Sequence, residues 1–122
     1  LGGNSIEVDQ IDTVFVVNNT MTETVYSAGS VSGAYTPDRN NGSIQKLTLT
    51  GNLILNLVSN MSAGQSLTLI LTQDATGSRF LTSNILFAGG SKTLSTTPGA
   101  IDVMNVFYDG TNYLAALVKG YA

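Results

Sequence analysis

Ile44-Gln45-Lys46-Leu47-Thr48-Leu49-Thr50-Gly51-Asn52-Leu53-Ile54-Leu55-Asn56-Leu57-Val58 alternates apolar and polar side chains with a period of two. Leu47, Leu49, Leu53, Leu55 and Leu57 share one parity, and Thr48, Thr50, Asn52 and Asn56 share the other, which is the signature of a strand with one face buried. Gly51-Asn52 interrupts the run, so the segment is either one long kinked strand or a strand pair turning there. Ser66 to Gln73 repeats the pattern, with Leu67, Leu69 and Leu71 on one face. Ile70 breaks its alternation, which predicts a strand apolar on both faces and central in its sheet.

Outward from these strands, turn chemistry recurs every 10 to 15 residues: Ser59 to Gly64, Asp74 to Ser78, Ala88 to Ser91 and Thr96 to Gly99. No window places apolar residues at helical spacing. Short strands at that spacing predict an all-β fold, an antiparallel β-sandwich or jelly roll of about seven or eight strands. The chain's last 22 residues fix a register. If Asp109 to Asn112 is a four-residue loop, Tyr108 faces Tyr113, Phe107 faces Leu114, Val103 faces Val118 and Asp102 faces Lys119. That register matches like with like on both faces, whereas a two-residue Asp-Gly turn does not. The segment before residue 44 is thinner in apolar anchors. Val8 to Val17 offers one strand and Asn18 to Ser43 is rich in Asn, Thr, Ser and Gly, which predicts an extended N-terminal arm over residues 1–43 and a β-sandwich over 44–122. A start at Leu1 rather than Met leads us to expect a piece of a longer polypeptide.

Composition narrows the chemistry. The 122 residues contain no His, Cys or Trp, which excludes Ser-His-Asp and Cys-His catalysis, disulfides and the common zinc sites. Five basic against eight acidic residues leave a net charge of −3, and no two Lys or Arg stand close together, so there is no footprint for nucleic acid. No apolar run approaches the roughly 20 residues of a membrane-spanning helix, and no membrane insertion is expected. Thr, Gly, Ser and Asn make up 51 of the 122 residues, giving a polar but nearly uncharged surface.

Candidate sites are few. Glu7 with Asp9, and Asp9 with Asp12, are the closest carboxylate pairs; a glycosidase needs two such groups about 5 to 10 Å apart with one desolvated, but a solvated, self-repelling face is the far simpler reading. Calcium could use Asp9 and Asp12, yet the twelve-residue loop pattern is missing. No metal, cofactor or catalytic residue is therefore expected. Among the five tyrosines, Tyr108 and Tyr113, flanking a loop with Asp109 and Asn112, form the most plausible recognition patch. Flat apolar rings with polar tips, beside hydrogen-bonding side chains, suit a sugar or protein surface. Cross-strand stacking alone is the simpler alternative.

Four strings carry a resemblance: Tyr35-Thr36-Pro37-Asp38-Arg39-Asn40-Asn41-Gly42-Ser43, Gln45 to Asn52, Ala63 to Asp74, and Val106-Phe107-Tyr108-Asp109-Gly110-Thr111-Asn112-Tyr113-Leu114-Ala115. Together they resemble the C-terminal β-sandwich modules of tailed-bacteriophage virion proteins, over roughly residues 31 to 122. Residues 1–30 match nothing nameable. The resemblance implies a non-enzymatic structural module of the virion, tail-fibre-like, assembling as a homotrimer with itself and with other virion proteins and contacting a host surface glycan or protein. It brings no family site residues. Two other readings stand beside it: a capsid decoration protein whose N-terminal arm reaches across neighbouring subunits, and a monomeric carbohydrate-binding module, which the absence of Trp disfavours.

Overall fold

The computed structural model describes residues 22–122. The described residues form seven strands: β1 (Val25–Tyr35), β2 (Ile44–Leu55), β3 (Ser66–Gln73), β4 (Leu81–Ser83), β5 (Leu86–Phe87), β6 (Ile101–Tyr108) and β7 (Tyr113–Tyr121). They form one mixed sheet in the order β1-β2-β3-β6-β7-β5, with β4 beside the second half of β2.

The all-β expectation holds, but the antiparallel sandwich does not. β1, β2 and β3 are consecutive and parallel, Val25 lying opposite Ile44 and Ile44 opposite Thr68. Parallel neighbours need a return path. A straight eleven-residue strand spans roughly 35 Å, while the eight residues between β1 and β2 reach at most about 30 Å, so the strands themselves must bend to close each coil. They bend together: between Val31 and Gly33 the pairing jumps from Leu49 to Leu53, and Gly51 sits in the corner where a Cβ would lie 2.9 Å from that of Ser32. The kink expected at Gly51-Asn52 is this corner, and β2 is one bent strand. A third wall follows, where Asp38 bridges Ser59 in parallel and Ser59 N–H donates to the Pro37 carbonyl at 2.9 Å. The result is a β-solenoid-like stack of coils. Periodicity reports which side chains point inward but not the direction of the neighbouring strand, and coils fill their interior with their own walls where a sandwich would use a second sheet.

Leucines fill that interior. Leu47, Leu49, Leu53, Leu55, Leu67, Leu69 and Leu71 are buried, joined by Met104 and Val106 from β6. β3 is central, between β2 and β6, as Ile70 implied. Leu57 departs from its expected face and is 46% exposed, while Val58 is buried instead. The chain turns a corner at Asn56, whose amide and side chain bind Tyr35 and Thr36 of the preceding coil, and the parity shifts by one.

Beyond β3 the direction alternates, until β5 pairs parallel with β7 at the sheet's far end, Leu86 lying opposite Leu114. β6 pairs antiparallel with β3, and β7 antiparallel with β6. The expected four-residue loop and its pairs Tyr108–Tyr113, Phe107–Leu114 and Val103–Val118 are present, whereas Asp102 does not face Lys119. A register shift between Ile101 and Val103 brings Ile101 opposite Tyr121, and the buried Asp102 accepts backbone hydrogen bonds. Residues 25–43, expected within the arm, belong to the first coil, because β1 pairs with β2 from end to end. Residues 1–21, including the strand expected at Val8 to Val17 and the acids Glu7, Asp9 and Asp12, lie outside the described residues.

Candidate recognition surface

The β6–β7 loop is shaped by its own residues. Asp109 Oδ1 accepts from the amides of Thr111 at 2.8 Å and Asn112 at 2.6 Å, an Asx-type turn, and the Asp109 amide donates to the Asn112 carbonyl. Those donated amides, Asn112 foremost, hold the Asp109 carboxyl below the usual carboxylate range. Gly110 takes φ +98° between them, a value that favours glycine. Tyr108 and Tyr113 stack across the strand pair with ring centroids 4.3 Å apart and planes 18° from parallel. Their hydroxyls are engaged as well: Tyr108 donates to the Gly110 carbonyl at 2.9 Å and Tyr113 to the Val58 carbonyl at 3.2 Å. The loop is anchored to the coil corner through the Gly64 amide, which donates to the Tyr108 carbonyl.

The four expected recognition residues thus divide. Tyr108 and Asp109 spend their polar groups on the loop itself. Tyr113 and Asn112 line a shallow groove of about 200 Å³, with Thr111 from the same loop and Leu57, Asn84 and Leu86 from the coil corners. Leu57 and Leu86 expose apolar surface there, and the side chains of Asn84 and Asn112 make no hydrogen bond to another described residue. An apolar floor edged with side-chain amides can take a ligand that has both hydroxyls and an apolar face. Leu57, Asn84 and Leu86 were not identified from the sequence, since Leu57 carried the parity of a core residue and the other two sit in no motif.

The remaining acids serve the fold. The Asp38 carboxyl accepts from the Asn60 side chain and the Asn40 amide, each at 2.9 Å, and lies below its ordinary range for that reason. Asp74 is lowered by its hydrogen bond from Arg79, with which it forms an ion pair at 2.8 Å, while its other oxygen caps the Thr76 and Gly77 amides. Each favours the ionised form, the opposite of what a general acid needs. Among the described residues no cluster of three metal-ligating side chains occurs, and no helix is long and apolar enough to cross a membrane.

A family model described as "Putative phage tail fibre C-terminal domain" matches residues 35–113, which hold the coil corners, β2 to β6 and the loop just described. No curated protein and no solved structure matches the chain.

Proposed function

The chain belongs to this family of phage tail fibre C-terminal domains and has its place in the virion particle, and we propose that it serves there as a non-catalytic structural module, assembled as a homotrimer, that meets the host surface through the groove beside Tyr113. The family match over residues 35–113 carries the structural reading. The fold supports it. Stacked, bent strands with a continuous backbone ladder from β1 to β5 make a stiff body, and a surface with few charges suits a particle that works outside the cell. For host contact, the support is the groove edged by the side chains of Asn84 and Asn112, which bond to no other described residue. A glycan, with hydroxyls for the amides and apolar ring faces for Leu57, Leu86 and Tyr113, fits that chemistry. Light scattering on the isolated chain tests the assembly: a native mass three times 12.7 kDa is expected, and a mass of 12.7 kDa that persists at high concentration would overturn the homotrimer.

A further inference from the structure

The groove beside Tyr113 is lined by three separate stretches of chain that the fold holds together. Leu57 stands at the corner after β2, Asn84 and Leu86 at the entry to β5, and Thr111 to Tyr113 at the β6–β7 turn. The Leu86–Leu114 and Phe87–Ala115 pairs hold β5 against β7, and the Tyr113 hydroxyl donates to the carbonyl of Val58, next to Leu57. The Tyr113 ring is fixed as well, because it stacks on Tyr108. The lining is therefore set before a ligand arrives, which spares the ligand the cost of ordering it.

Size and charge narrow what can enter. A volume of about 200 Å³ falls short of the roughly 300 to 1,000 Å³ of pockets for drug-sized molecules, so the groove takes one ring rather than a run of them. No charged side chain lines it. The charged residue of the adjoining loop is Asp109, whose carboxylate accepts from the amides of two lining residues, Asn112 at 2.6 Å and Thr111 at 2.8 Å, and is kept ionised by those bonds. A second carboxylate brought into the groove would meet that charge with no cation in the lining to offset it. Leu57 and Leu86, 46% and 54% exposed, set the other limit. A hydroxyl laid against a leucine gives up water and gains no bond, whereas a methyl group gains by leaving water. Asn84 and Asn112 each bring an amide that both donates and accepts, which suits neighbouring hydroxyls or an acetamido group.

We infer that the groove binds a single uncharged sugar residue carrying a methyl group, as a 6-deoxyhexose or an N-acetylhexosamine does, and turns away acidic sugars. The inference rests on the glycan reading above and adds which glycans qualify. A plain hexose sets hydroxyls against the leucines, and a uronic or sialic acid brings its carboxylate beside Asp109.

The test titrates the isotope-labelled full chain with matched sugars and follows the backbone amides of Thr111, Asn112 and Tyr113 by nuclear magnetic resonance. L-Rhamnose is expected to bind at least about threefold more tightly than L-mannose, which carries a hydroxyl on the carbon that is a methyl in rhamnose, and N-acetylglucosamine more tightly than glucose by a similar factor, that being what a largely buried methyl group supplies. A preference within one pair alone supports the inference and identifies the source of the methyl. N-Acetylneuraminic acid, which has the acetamido methyl and also a carboxylate, should leave the amides unmoved. In the double variant Leu57→Ala, Leu86→Ala the rhamnose and mannose affinities should draw together, and a preference that survives both changes would overturn the assignment. Equal binding within both pairs, or an acidic sugar bound as tightly as N-acetylglucosamine, would overturn the inference and leave the glycan reading standing. If no sugar moves the lining amides, both fall.

Discussion

The Asp102 carboxylate, buried near the start of β6, accepts a hydrogen bond from the Gly120 amide at 2.9 Å, exactly where the β6–β7 ladder slips register. Its second oxygen accepts from the Ser95 amide at 2.8 Å, so one side chain ties the final strand and the loop before β6 to the end of the coil stack. Removing it leaves two part-buried backbone donors without their acceptor. Asp102→Ala is expected to cost about 2 to 4 kcal/mol in chemical denaturation, charge-assisted bonds being worth about 1.5–3 kcal/mol. Asp102→Asn, which turns a donor toward a donor, should fall between it and the parent.

Gly51 and Ser32 set the first coil corner. Gly51→Ala pushes a methyl to 2.9 Å from the Ser32 Cβ and should destabilise the chain by about 1 to 3 kcal/mol. Combining it with Ser32→Gly should recover part of that loss, a coupling that a double-mutant cycle reads directly. Purely additive effects would mean the two residues do not meet.

Leu69 and Leu57 separate the core from the groove. Leu69→Ala, at a fully buried position, should cost about 2 to 5 kcal/mol. Leu57→Ala, nearly half exposed, should stay within about 0.5 kcal/mol.

Acid should loosen the coil connections. Asp38, Asp74 and Asp109 all have carboxyls held below their ordinary range in the folded chain. Stability from a depressed carboxyl is fully present above its unfolded value of about 3.9 and is lost as pH falls through the folded value. Melting temperature should therefore be flat from neutral pH to about 5 and drop below about 4, and Asp74→Asn, which already lacks the ion pair with Arg79, should show a shallower drop.

The groove makes a separable prediction. Asn112→Ala and Asn84→Ala remove side chains that bond to no other described residue, so melting should be unchanged while binding of the labelled chain to host cells weakens. Tyr108→Phe should do the reverse, loosening the loop by about 1 kcal/mol.

Much of this was legible in the sequence, for physical reasons that also mark where legibility ends. Alternation at Leu47 to Leu55 and Leu67 to Leu71 reports inward faces, and every one of those leucines is buried. Pairing by likeness found the Tyr108–Tyr113 and Val103–Val118 register. Strand direction left no such trace, because a parallel coil and an antiparallel sandwich ask for the same alternation. Leu57 and Asp102 were misplaced by a single-residue slip each, at a corner and at a bulge, where parity cannot be counted through. The recognition surface was half visible: Asn112 and Tyr113 lie in a loop with recognisable chemistry, while Leu57, Asn84 and Leu86 reach it only through the coil.

The most direct test of a self-assembled fibre module is its copy number in purified virions, counted by quantitative mass spectrometry against the capsid subunit. The expected result is a small multiple of three per particle. A number on the scale of the capsid's own subunits would contradict it and point to a decoration protein.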